Sequence, residues 1–108
     1  MDIDLEACFK YIQTNAQKLG NAKAELVRLE AKVKATKAAL MDASDASSVA
    51  MKEADAYKHY EYINVVNELA NATGLETELS IMVKAAFQKV ETHRALEYTR
   101  RAEIKNGI

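Results

Sequence analysis

Large aliphatic side chains recur every seven positions along the first 40 residues. This spacing places all of them on one face of an α-helix and is typical of the a positions of a coiled coil. Most residues at the matching d positions, three further on, are small or polar. We predict one helix over about residues 3–41. Its core or dimer seam comprises Leu5, Ile12, Leu19, Leu26, Val33 and Leu40.

The rest of the chain is also predicted to be helical. It has 19 Ala and no Pro across its full length, and Ala is the strongest helix former whereas Pro breaks helices. Small polar residues, which favour turns and helix caps, are dense only at positions 42–48, so we place a turn there. A short helix over about 48–58 and a long helix over about 60–105 are expected to follow.

Two apolar stripes run along the last segment, with a change of register near Gly74. The first contains Ile63, Val66 and Ala70, and the second contains Leu75, Leu79, Met82, Ala86, Val90 and His93. The predicted fold is therefore all-α, a long antiparallel, coiled-coil-like helical hairpin with a short helical elbow, as a single domain over 1–108. Because two narrow stripes cannot enclose a core alone, we expect a homodimeric helical bundle.

The sequence contains no recognised catalytic or cofactor-binding pattern. Neither His59 nor His93 has a Glu three residues before it, so the Glu-x-x-His pairs of di-iron bundles are missing. One cysteine, Cys8, is too few for a zinc finger, and no glycine-rich phosphate loop occurs. Cys8 at a d position is more typical of a core residue than of a nucleophile. We predict no enzymatic activity, no metal and no cofactor.

The charges are balanced, with 15 Lys and Arg against 16 Asp and Glu and a net charge of −1. This balance disfavours a purely electrostatic grip on nucleic acid or on a membrane. No aliphatic run approaches the ~20 residues of a membrane span, and the acidic N-terminus is unlike a signal peptide. Together with the single cysteine, these features predict a cytoplasmic protein.

The best candidate for an interaction face lies near the C-terminus. Basic and aromatic side chains recur there with the spacing of a single helix face, and another arginine lies beside them. The predicted face comprises Arg94, Tyr98, Arg100, Arg101 and Lys105. It suits an acidic protein surface or a phosphate backbone. The interspersed Glu91, Glu97 and Glu103 are equally typical of a solvated helix surface with local ion pairs.

A second aromatic group, Tyr57, Tyr60 and Tyr62, surrounds His59 near the predicted elbow. Tyrosines of this kind can stack on nucleic-acid bases. Packing at a helix junction, with the hydroxyls reaching water, is the more common role and the one we expect here.

Several short motifs in the second half of the chain carry a resemblance to a known group of proteins. They are Ala56-Tyr57, Glu61-Tyr62-Ile63, Leu69, the run from Glu78-Leu79 to Lys89-Val90-Glu91, and then Arg94, Glu97 and Arg101-Ala102-Glu103. Over residues 53–103 the chain resembles a group of small helical proteins of tailed bacteriophages, often encoded near recombination genes. It departs from that group at Tyr60, where the group tends to have Pro, and at Ile81 and His93, where it tends to have Trp.

The resemblance implies a phage origin and a context of DNA metabolism or anti-defence, and it supplies no catalytic residues. We therefore predict a non-enzymatic bacteriophage accessory protein of the host cytoplasm. It would act as a homodimer by binding a host or phage protein of the recombination, nuclease or defence machinery. Two alternatives stay open: a nucleic-acid-binding protein that uses the C-terminal face, and a structural or assembly subunit of the virion.

Overall fold

The computed structural model describes residues 4–107, which form three α-helices. Helix α1 spans Leu5–Asp42, α2 spans Val49–Lys58 and α3 spans Tyr60–Lys105. The predicted all-α fold with a long helical hairpin is confirmed. The helix ends lie within one residue of those predicted, except that the predicted start of α1 at residue 3 lies outside the described residues.

Two compact units share the long helices. The first, which we call the terminal unit, comprises Met1–Leu19 and Glu78–Ile108 and pairs the start of α1 with the end of α3. The second, the elbow unit, comprises Gly20–Thr77 and contains the rest of both long helices together with α2. The expectation of a single domain stays a prediction.

Side-chain caps fix the starts of α1 and α2. The Asp4 carboxylate accepts a hydrogen bond from the Ala7 N–H at 3.0 Å, at the first turn of α1. The Ser48 hydroxyl accepts one from the Met51 N–H at 3.2 Å, at the first turn of α2. Asp and Ser are preferred at these positions because their oxygens satisfy backbone donors that have no partner within the helix.

His59 is the only residue between α2 and α3, and it serves both helices. Its backbone is extended, with φ −73° and ψ 137°, and its N–H donates to the Ala56 carbonyl at 3.1 Å. Its Nδ1 accepts a hydrogen bond from the Glu61 N–H at 3.1 Å. One residue therefore ends α2 and caps α3, which lets the chain change direction without a longer loop.

The most buried residues of α1 are mainly at the d positions, whereas the predicted seam comprises the a positions. The d positions are the most buried, since Leu29 is only 3% exposed and Asn15 and Ala22 are 8% exposed. Of the a positions Ile12 is buried, and the half-buried ones are Leu5, Leu19, Leu26, Val33 and Leu40. A pair of helices covers only the line where they approach most closely, so larger side chains at the edge of that line stay partly in water.

The buried amide of Asn15 is satisfied within α1. Its Nδ2 donates to the carbonyl of Tyr11, one turn earlier, at 2.9 Å. A buried amide without a partner would cost about 1–3 kcal/mol, so this local bond makes a polar residue tolerable beside the helix partner.

Helix α3 continues without a break through Gly74, and its buried stripe keeps one register. The buried residues are Val65, Val83 and Val90. The half-buried residues Leu69, Ala72, Glu76, Leu79 and Ala86 fall at the a and d positions between them. Four members of the predicted stripes, Ile63, Ala70, Leu75 and Met82, are instead exposed. The predicted register change is therefore wrong, because the small and polar residues Ala72 and Glu76 carry the repeat across this region.

Two ion pairs join α1 and α3 within the elbow unit. Lys23 Nζ lies 3.1 Å from Glu76 Oε1, and Lys32 Nζ lies 3.3 Å from Glu68 Oε2. The residue numbers rise along α1 as those of the contacted residues fall along α3, as an antiparallel pair requires. The Glu76 side chain is only 17% exposed, so Lys23 neutralises a carboxylate that lies on the seam itself.

Replacing Leu29 by Ala should lower the free energy of unfolding by about 2–4 kcal/mol, because it leaves a cavity at a buried seam position. The matched control is Val27→Ala, since Val27 is 68% exposed on the same helix. Chemical denaturation followed by circular dichroism measures both variants. Equal effects at the two positions would contradict the burial pattern.

Replacing His59 by Ala should cost about 1 kcal/mol of stability, because the Glu61 N–H loses its acceptor at the start of α3. His59→Asp supplies another cap acceptor and should recover most of this loss. Denaturant titrations of both variants test the prediction. If His59→Asp is as unstable as His59→Ala, the cap does not stabilise the junction.

Candidate interaction surfaces

The C-terminal part of α3 borders a cleft of about 370 Å³ in the terminal unit. The cleft is lined by Leu5, His93, Arg94, Glu97, Tyr98 and Arg101. Leu5 is the one lining residue from α1. The structure thus brings Arg94, Tyr98 and Arg101, three members of the predicted interaction face, around one concave site.

The other two members of the predicted face do not line this cleft. Arg100 is rotated about 100° around the helix from Arg101, and its Nη1 lies 3.5 Å from Glu97 Oε1. Lys105 is exposed in the last turn of α3. Sequence spacing alone could not define the cleft, because one of its walls comes from α1.

The charges around the cleft are accessible to a ligand. Arg94 Nη1 lies 3.4 Å from Glu91 Oε1, but both side chains are more than 60% exposed, so this pair is weak and easily exchanged. Within residues 4–107, Arg101 has no carboxylate within 4.0 Å. Tyr98 is 77% exposed. Exposed tyrosine and arginine together are typical of binding surfaces.

A separate groove of about 420 Å³ lies between α1 and α3 in the terminal unit. It is lined by Ala7, Cys8, Tyr11, Met82, Ala85, Ala86 and Lys89. Most of these side chains are small, which leaves the two helix backbones close to the surface. The half-buried Cys8, expected in the core, instead forms part of the groove wall.

A polar and aromatic cluster joins all three helices in the elbow unit. Lys37 Nζ donates to the Tyr57 hydroxyl at 2.8 Å, and that hydroxyl donates to Glu53 Oε1 at 3.0 Å. The rings of Tyr57 and Tyr62 lie 5.3 Å apart at 59°. Tyr57 and Tyr62 therefore pack at the junction. Tyr60 is 66% exposed and stacks on His59, with 4.7 Å between the ring centroids.

The environment of Lys37 favours its charged form. The hydrogen bond with Tyr57, reinforced by the Glu53 carboxylate 3.7 Å away, raises the pKa of Lys37 above the usual 10.5, although partial desolvation opposes this. The ammonium also lies 4.7 Å from the centroid of the Tyr57 ring. The sequence indicated Tyr57 and Tyr62 but not Lys37 or Glu53, because those contacts depend on how separate helices pack.

The turn between α1 and α2 is tied to α2 by a side-chain hydrogen bond. The Ser44 hydroxyl donates to Asp55 Oδ2 at 2.8 Å and accepts from the Ala46 N–H at 3.2 Å. Among the described residues, no group of three or more His, Cys, Asp or Glu side chains is placed to hold a metal ion. No helix in residues 4–107 is long and apolar enough to cross a membrane.

Comparison with protein-family models, with curated proteins and with solved structures gave no significant match for this chain.

Lys37→Met should destabilise the chain at neutral pH, because it removes the charged donor to Tyr57. A pKa raised by folding gives stability that is fully present below the unfolded value of 10.5 and is lost as the pH rises through the folded value. The difference in unfolding free energy between the wild type and this variant should therefore shrink as the pH rises above 10.5 and through the raised pKa of Lys37.

Lys34→Met is the matched control, since Lys34 is exposed on the same helix. Urea titrations over the alkaline range measure both variants against the wild type. A difference for Lys37→Met that stays constant with pH, or that Lys34→Met reproduces, would contradict the predicted coupling.

Proposed function

We propose that this chain is a non-enzymatic bacteriophage accessory protein that works as a homodimer and binds another protein. The targets would belong to host or phage recombination, nuclease or defence machinery. The phage context comes from the resemblance over residues 53–103. The binding role is supported chiefly by the amount of surface that the fold leaves exposed.

The chain exposes 8161 Å² of surface, whereas a compact monomer of 12.0 kDa exposes about 6,000 Å². The excess is about 2,000 Å², and each partner in a standard protein–protein interface buries about 800 Å². This surface therefore has room for one copy of the chain and for a second protein.

Part of the exposed surface is strongly apolar. Within the terminal unit, Phe9 is 47% exposed, Phe87 is 50% exposed and Leu96 is 63% exposed. Covering such side chains is favourable by about 25 cal/mol for each Å² of apolar surface removed from water. Their exposure supports a role in which other protein surfaces cover them.

The cleft at the end of α3 indicates the chemistry of the second protein. Leu5 offers an apolar contact, Tyr98 a large amphipathic ring, and Arg94 and Arg101 offer guanidinium groups on one helix face. An apolar side chain next to carboxylates matches this arrangement. We therefore assign the cleft to an acidic segment of the target protein.

Nucleic-acid binding is the second candidate, and the same cleft favours it. Guanidinium groups bind phosphates, and an exposed tyrosine can stack on a base. The balanced charge of the chain, with a net charge of −1, disfavours a purely electrostatic grip on nucleic acid and makes a protein target the better match.

A double variant, Tyr98→Ala with Arg101→Glu, tests the cleft. Capture of a cross-linked partner from host lysate should fall about tenfold or more, because the variant loses two residues of the types that dominate interfaces. Ile81→Ala with Lys84→Glu is the matched control, because it also removes one exposed apolar group and reverses one exposed charge on α3. It should capture the partner as the wild type does.

A second arm measures binding of single-stranded DNA at about 50 mM salt and above. DNA binding that falls steeply with salt and is lost in the Tyr98→Ala, Arg101→Glu variant would support the second candidate over the first. Capture of the same proteins by both variants and the wild type, with no DNA binding, would overturn the assignment of the cleft.

A further inference from the structure

One face of α3 in the terminal unit is self-complementary in charge and in side-chain size when two copies of it run antiparallel. Glu78, Met82, Ala85 and Lys89 follow one another at intervals of four, three and four residues, which aligns them along one side of the helix. All four are exposed, and the last three line the apolar groove. Along the helix, the face therefore presents an acid, a large side chain, a small side chain and a base.

An antiparallel copy of this face reverses that order. A two-fold axis between residues 83 and 84 brings Glu78 of each copy opposite Lys89 of the other, and it brings Met82 opposite Ala85. Both pairs are centred on the same axis, so a single arrangement satisfies both. Isologous dimers require such self-complementarity, and each contact is then made twice.

We propose that a second copy of this chain binds at the groove, with the two α3 helices packed antiparallel about this axis. The inference rests on the homodimer of the proposed function and assigns the face that forms it. The surface area agrees, because about 800 Å² per copy is well within the excess of about 2,000 Å².

The groove accepts the side chain that the pairing delivers. Ala7 and Cys8 of α1, with Ala85 of α3, leave space where Met82 of the other copy arrives. Methionine is flexible and fills irregular apolar gaps well, and Tyr11 on the groove wall offers it an aromatic edge.

The two charges are available for the pairing. Within residues 4–107, neither Glu78 nor Lys89 has an oppositely charged group within 4.0 Å. A parallel arrangement in register would place Glu78 against Glu78 and Lys89 against Lys89. Like charges in contact are unfavourable, so the pattern selects the antiparallel dimer.

Charge exchange tests the pairing directly. Sedimentation equilibrium at micromolar concentration should show a wild-type dimer. Glu78→Lys alone and Lys89→Glu alone each place two like-charged pairs in the interface, so each should raise the dimer dissociation constant about tenfold or more. The double exchange restores opposite charges and should return the constant to near the wild-type value. An equimolar mixture of the two single variants should form a heterodimer, which native mass spectrometry resolves.

Neighbouring positions supply the controls. Met82→Glu should weaken the dimer, whereas Lys84→Glu and Phe87→Glu, which change exposed residues about 140° or more around α3 from Met82, should leave it intact. Circular dichroism should show the same helicity for every variant. Loss of the dimer in Phe87→Glu to the same extent as in Met82→Glu would overturn the assigned face.

The outcomes separate this inference from the proposed function. If the wild type dimerises and the charge exchanges change nothing, a second copy binds elsewhere and only this inference fails. If the wild type is monomeric at every concentration measured, both this inference and the homodimer of the proposed function are wrong. Capture of a target protein at the Tyr98 cleft is measured on other residues and stands or falls separately.

Discussion

The narrow line of contact between α1 and α3 is the constraint on which this structure depends. Two helices can bury only the residues along their line of closest approach, so the well-buried positions are few. They are Ile12, Asn15, Ala22 and Leu29 on α1, and Val65, Val83 and Val90 on α3. Stability then depends on the regularity of the seven-residue repeat over many turns. The same geometry leaves large side chains at both edges of the seam half in water.

The elbow solves a different problem, because the chain must reverse direction without proline and with few glycines. The turn at residues 43–48 carries the chain back from α1 into α2, where Ser44 bonds to Asp55. His59 then joins α2 to α3 with one extended residue, ending α2 through its backbone and capping α3 through its side chain. The cluster of Lys37, Glu53 and Tyr57 then ties α2 to α1 by hydrogen bonds. At the elbow these polar contacts add to the apolar burial of Ala56, which is 1% exposed.

A fold with so thin a core has functional consequences. Its exposed surface exceeds that of a compact monomer, and the excess carries both apolar and charged groups. Two regions of the terminal unit combine them differently: the cleft joins Tyr98 with Arg94 and Arg101, whereas the groove joins Met82 and small side chains with Lys89. The basic and aromatic cleft suits an acidic segment of another protein. The self-complementary face suits a second copy of this chain.

The sequence by itself determined the three helices, their ends apart from the start of α1, and the hairpin, because helix propensity, turn composition and seven-residue periodicity are local properties that a sequence displays directly. It also indicated Arg94, Tyr98 and Arg101, whose spacing defines one helix face. Only the tertiary structure decided which seam residues are fully buried, since Leu29 and Ile63 look alike until a partner helix covers one and not the other. It alone joined Leu5 to the cleft and Lys37 to Tyr57, because those contacts depend on how separate helices pack against each other.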